Sequence, residues 1–122
     1  MENIEIINWH DAELLDIKID RKLAGEKDEI ELTILLTDSE ILSLIFKDCY
    51  YADFQMNFGI VASESISDFF VDIDDPRTSD IKKIWEKLDV TLDIRCYNLI
   101  TNSTNSVLKI YCKELFITQF KH

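Results

Sequence analysis

Between residues 12 and 36 apolar and polar side chains alternate with a period of two, a pattern that suits half-buried strands and no regular helix. From Ala12 to Asp20, Leu15, Ile17 and Ile19 fall on one side, and Asp16, Lys18 and Asp20 on the other. From Glu29 to Leu36, Ile30, Leu32, Ile34 and Leu36 again share a side. The polar stretch Arg21–Asp28 contains Gly25 and predicts a turn, which makes the two runs a β-hairpin. After a turn over Thr37–Glu40, Ile41–Phe46 predicts a third strand. Tyr50–Ala62 is aromatic-rich and predicts a fourth, with Phe54, Met56 and Phe58 on one side and Gly59 at a bulge or at the strand's end.

The period changes once. Ile81, Ile84, Trp85 and Leu88 are spaced i, i+3, i+4, i+7 and predict a helix over about 79–88, with Ser79 as its N-cap and Trp85 in the core. Val90–Thr101 and Val107–Phe120 are β-type runs around five turn-forming residues, Asn102–Ser106, and predict a terminal hairpin. No internal repeat, low-complexity tract or linker interrupts the chain. The expected architecture is a single domain over residues 1–122 of the α+β class. It is mainly an antiparallel β-sheet or open sandwich, partly covered by one clear helix. A chain of 122 residues buries roughly two-thirds of its unfolded surface, so its core needs no disulfide or metal.

Charge narrows the function. There are 24 Asp and Glu against 13 Lys and Arg, a formal net charge of −11. Residues 95–122 hold four Lys or Arg against one acid, so residues 1–94 carry −14. Such a field repels phosphate backbones and anionic membranes and attracts basic partners, which argues against direct nucleic-acid or membrane binding. Met1-Glu2-Asn3-Ile4-Glu5 lacks the basic and apolar stretches of a secretory signal, and no apolar run approaches the ~20 residues of a membrane span. The expectation is a protein of the reducing cytoplasm, with Cys49, Cys96 and Cys112 as buried thiols.

Acid is densest between residues 64 and 75, where Glu64, Asp68, Asp72, Asp74 and Asp75 have no Lys or Arg among them. A helix here would oppose Ile66, Phe69, Phe70 and Ile73 to the acids. A strand would place Phe69, Val71 and Ile73 on one face and Asp68, Phe70, Asp72 and Asp74 on the other. The aromatic and β-branched content and Pro76 favour the strand. Asp68 and Asp72 share a face in both. A solvated face that confers solubility accounts for such a run. The missing counter-charge and the ring of Phe70 among the acids point instead to a partner-binding surface of Glu64, Asp68, Phe70, Asp72, Asp74 and Asp75.

Chemistry has little to work with. His10 is the only internal histidine, and the expected role of Trp9-His10-Asp11 is a core tryptophan followed by a turn. His122, the last residue, is expected to fray. No zinc triad, calcium loop or phosphate cradle is present in the spacing, so no metal, no cofactor and no catalytic residue is expected, and the protein is not expected to be an enzyme.

Five fragments together carry a resemblance: Trp9-His10-Asp11-x-x-Leu14, Phe46-x-x-Cys49, Asn57-Phe58-Gly59-Ile60, Glu64-Ser65-Ile66 and Thr101-Asn102-Ser103-Thr104-Asn105-Ser106. In these the chain resembles small bacterial immunity proteins of polymorphic or contact-dependent growth-inhibition toxin systems. The resemblance implies a cytoplasmic antidote that binds the cognate toxin domain, often a basic nuclease. It implies no catalytic residues, and the fragments are expected to shape the fold rather than touch the toxin. The alternative function is a small intracellular adaptor or structural subunit whose acidic surface only confers solubility.

Overall fold

The structure, a computed structural model, describes residues 4–121. Met1–Asn3, the start of the stretch compared with a secretory signal, and His122 lie outside the described residues. The strands are β1 (Glu13–Leu23), β2 (Lys27–Leu35), β3 (Glu40–Gln55), β4 (Ile66–Val71), β5 (Arg95–Thr101) and β6 (Val107–Lys121), and the helix is α1 (Pro76–Glu86). They form one six-stranded sheet in the order β1-β2-β3-β6-β5-β4, antiparallel throughout. This is the α+β arrangement that the periodicity predicts, as a single sheet rather than a sandwich. No described helix is long and apolar enough to cross a membrane.

The sheet curls until its two outer strands touch. Glu13 at the start of β1 bridges Ser65, just ahead of β4, and the backbone bonds Ile66 N to Ala12 O (2.7 Å) and Leu14 N to Glu64 O (2.9 Å) hold the contact. Curling encloses a core of Ile30, Leu32 and Ile34 from β2, Leu42, Leu44 and Phe46 from β3, and Leu108 and Ile110 from β6. Edge-to-face rings extend it, with Trp9 4.9 Å from Phe69 and Phe46 5.4 Å from Tyr97. Trp9 packs in the core as expected, its Nε1–H donating to Ile4 O at 2.8 Å, and His10-Asp11 form the turn behind it, with Asp11 at φ 64°.

Register shifts in three strands displace residues from where simple alternation puts them. In β1, Leu14 pairs Ile34 and Asp16 pairs Thr33, so Leu15 is an extra residue. Leu14 takes the core position and Leu15, expected on the inner side, is 51% exposed. Ile17 packs against the core as expected, and Ile19, opposite Ile30, is 57% exposed. In β3 the segments predicted as two strands are one. The chain kinks at Asp48 (φ 55°), and the register with β6 shifts between Cys49 and Tyr51. Phe54 and Met56 do pack on the core, but the strand ends at Gln55 and Phe58 is 83% exposed. In β4 the shift falls between Ile66 and Asp68, which puts both Ile66 and Phe69 inside.

The helix begins three residues earlier than predicted. Pro76 is its first residue, where a missing N–H costs nothing, and Asp75 rather than Ser79 is the N-cap. Ile81 is buried, Trp85 is half-buried, and Ile84 and Leu88 are exposed, so the helix seats a narrower stripe than expected. Residues 90–94 are not a strand, yet Leu92 and Ile94 fold under α1 and pack with Ile81, Cys96 and Tyr111 in a second small core. Cys96 and Cys112 are buried thiols, as expected, whereas Cys49 is only half-buried. Burial lifts the Cys96 thiol to about 11, so it stays protonated at neutral pH.

The two aromatic sites should differ in cost. Phe69→Ala empties a fully packed position and should destabilise by about 3–5 kcal/mol, whereas half-buried Trp85→Ala should lose less. Urea unfolding of both variants measures the difference, and equal losses would place Trp85 in the core proper.

Candidate binding surface

The acidic segment divides into acids that build the fold and acids that face outward. The strand form holds over residues 66–71, with Phe69 and Val71 toward the core. Asp68 and half-buried Phe70 therefore lie on the other face, with Asp72 continuing that alternation. Asn98, the register partner of Phe70, has its amide nitrogen 3.5 Å from Asp72. Ile73, expected beside Phe69, is 88% exposed because the strand has already ended. Asp68 and Asp74 are exposed carboxylates without an ion pair among the described residues. Asp72 is half-buried and caps the backbone N–H of Asp74 at 3.0 Å.

Two members of the predicted surface are structural instead. Asp75 is only 6% exposed. Its carboxylate accepts from Tyr111 Oη–H at 2.9 Å, from the backbone N–H of Arg77 at 2.9 Å and from Lys109 Nζ at 3.3 Å. Burial alone would raise its pKa, but these three donors outweigh it and hold the group below its ordinary 3.8. The counter-charge missing from the segment thus comes from β6. Glu64 accepts from the Thr104 and Ser106 hydroxyls in the β5–β6 turn.

That turn is the centre of a polar knot. Asn57 Nδ2 donates to Thr104 O at 2.7 Å, Ser103 Oγ donates to Ser63 O at 2.5 Å, and Ser65 N donates to Ser103 Oγ at 2.9 Å. Both ends of the loop between β3 and β4 are tied down in this way, and its tip displays Phe58, Ile60 and Val61 to solvent. Three of the five fragments that carry the resemblance meet here, and the Trp9–Leu14 fragment joins them through the bridge at Ser65.

Sequence reasoning missed a concave surface. A cavity of about 480 Å³ opens between the tip of the β1–β2 hairpin, the kink of β3 and the last turn of α1. Its walls include Ile19, Tyr50, Tyr51, Ala52 and Trp85, with Tyr50 and Trp85 edge to face at 5.2 Å. The bulge turns both adjacent tyrosines toward the helical side, Tyr50 against Trp85 and Tyr51 against Tyr111. Among the described residues five carboxylates line it, Asp20, Glu26, Asp28, Glu29 and Asp48, against the single cation Arg21. Asp28 binds Arg21 Nε at 3.0 Å and Asp20 lies 3.7 Å from Lys27 Nζ, while the other three have no ion pair among the described residues. The N–H of Gly25 on Asp28 and that of Lys22 on Asp20 hold both carboxyls below the usual range, so they stay ionised. The available signal was the broken alternation at Asp48-Cys49 followed by two tyrosines.

Among the described residues no three His, Cys, Asp or Glu side chains converge to hold a metal ion. His10 is exposed and lies 3.6 Å from Asp11.

Asp75 yields a pH signature. Its lowered folded pKa means that its contribution is full above about 3.8 and is lost as pH falls through the folded value. Asp75→Ala should cost about 3 kcal/mol at neutral pH, about 1 from the cap and about 2 from the buried charge-assisted bonds. Asp75→Asn keeps the cap, should cost less and should flatten acid unfolding below pH 3.8, as thermal melts from pH 2 to 7 would record. Comparison with known proteins adds no relative to this surface, since no protein-family model and no curated protein matches the chain.

Proposed function

We propose that this chain is a cytoplasmic immunity protein that binds and neutralises a cognate, basic toxin domain, such as a nuclease of a growth-inhibition system. The observation that carries the reading is an anionic surface which the chain does not neutralise itself. Asp68 and Asp74 on one side and Glu26, Glu29 and Asp48 at the cavity have no ion pair among the described residues. Such a field speeds encounter with a basic partner and opposes nucleic acid. The exposed apolar tip of Phe58, Ile60 and Val61, held by its polar knot, supplies the rigid apolar anchor that charge alone lacks. The fragments of the resemblance support the same reading.

The test is co-expression with a candidate toxin domain taken from a gene adjoining this one, followed by purification of the complex. Protection of the cell and a stoichiometric complex are expected. A toxin that still kills, with no complex formed, would leave the acidic surface as a solubility device of an adaptor or structural subunit. Within a complex, Asp68→Lys/Asp74→Lys should slow association about tenfold at low salt and flatten its salt dependence. Both sites are exposed, so folding stability should move by less than about 0.5 kcal/mol. Stopped-flow association at two salt concentrations reads the effect, and unchanged rates would remove this face from the encounter.

A further inference from the structure

We infer that the cavity between the β1–β2 hairpin and α1 receives an arginine side chain of the partner; the inference rests on the proposed basic partner and names where it is gripped. The cavity offers two kinds of group that a guanidinium needs together. Flat aromatic walls, Tyr50, Tyr51 and Trp85, suit its planar face and the methylene stem behind it. Carboxylates at Glu29 and Asp48, which have no ion pair among the described residues, suit its fork of N–H donors.

The chain's own cations already use these walls. The guanidinium of Arg77 stands 4.6 Å from the ring of Tyr51, and Lys113 Nζ stands 5.7 Å from that of Tyr50. Arg21, the only basic residue lining the cavity among the described residues, is committed to Asp28. Asp20 faces Lys27, and Glu26, Glu29 and Asp48 have no ion pair among the described residues, so the lining stays anionic and complements a cation. A neutral or acidic occupant would bury these charges without return. Arginine is favoured over lysine because its plane stacks on the rings while its fork reaches two acceptors, where an ammonium meets them only as a point charge. The space of about 480 Å³ admits the side chain with its flanking backbone.

The experiment uses the whole chain and needs no toxin. N-acetyl-arginine methylamide and its citrulline, lysine and glutamate counterparts are titrated while the amide and indole resonances are followed by NMR. The arginine probe should give saturable shifts at the Trp85 indole and around Tyr50 and Glu29, with a dissociation constant on the order of millimolar. Citrulline, which keeps the shape and loses the charge, should give none, and lysine should bind several-fold more weakly. Glu29→Gln/Asp48→Asn should weaken arginine binding about fivefold. Asp68→Asn/Asp74→Asn, with the same change in net charge, should leave it within about twofold. Asn tolerates the left-handed backbone of Asp48, so the first variant keeps the kink. Equal binding of citrulline or lysine, shifts confined to other surfaces, or equal losses in the two variants would overturn the assignment. An empty cavity in a chain that still neutralises its toxin would refute the cavity alone. Arginine binding in a chain that neutralises no toxin would leave the cavity standing and refute the function.

Discussion

One buried carboxylate fixes how the helix meets the sheet. Asp75 is removed from water and must keep its charge satisfied, and the donors that satisfy it come from two elements at once. The N–H of Arg77 is the first turn of α1, while Tyr111 and Lys109 belong to β6. Binding all three pins the start of the helix to a strand far away in sequence. From that pivot Ile81 reaches Leu92, Ile94 and Cys96, and Trp85 arrives over Tyr50 at the kink of β3. The aromatic wall of the cavity therefore depends on an acid that never faces it. Tyr111 is bound into the same arrangement. Its burial and its bond to Asp75 push its own ionisation far above the ordinary range, so it remains a donor at every physiological pH.

A second constraint acts at the opposite end of the chain order. An open antiparallel sheet leaves two edges of unpaired backbone, and such edges invite pairing with other chains. Here one end of β1 meets the approach to β4, so part of each edge is used internally. Above that contact β1 is irregular. It carries the bulge at Leu15 and a further register shift between Asp20 and Leu23, and the carboxylates of Asp16 and Asp20 take the N–H groups of Ile17 and Lys22. An edge whose N–H groups are already bound to its own side chains is a poor template for a foreign strand. At these positions the β1 edge is thus blunted as a template for strand addition.

Much of the fold was legible because its signals are local. Ile30, Leu32 and Ile34 alternate without interruption and all three are core residues in the structure. The terminal hairpin announced itself through five polar residues between two apolar runs. What was not legible depends on register. A bulge adds one residue and breaks the alternation between the positions before and after it, and nothing in Leu14-Leu15-Asp16 says which leucine is extra. The same ambiguity split β3 into two predicted strands and hid the cavity, whose tyrosines point together only because of the bulge. The surface acids of the 64–75 segment were separable from the structural ones only in three dimensions. Asp74 and Asp75 are neighbours with the same chemistry, and only the position of Lys109 and Tyr111 distinguishes them.

That distinction changes what the net charge of −11 means. Carboxylates bound inside the protein, such as Asp75 and Glu64, act as acceptors for nearby donors and project little field. Those on the surface repel one another and lower the stability of the compact state. A protein needing only solubility meets that need with charges spread evenly and mixed in sign. Here carboxylates without an ion pair among the described residues stand instead at Asp68 in the outer strand, at Asp74 just after it, and around an aromatic hollow at the last turn of α1. Self-repulsion within such clusters is relieved when a cation enters, and the relief adds to the attraction of each new contact. The same argument sets the salt dependence, since a field screened over ~8 Å at physiological ionic strength loses reach before a contact inside the cavity loses strength. In the proposed complex, steering by the outer acids and gripping at the hollow are therefore separable by salt.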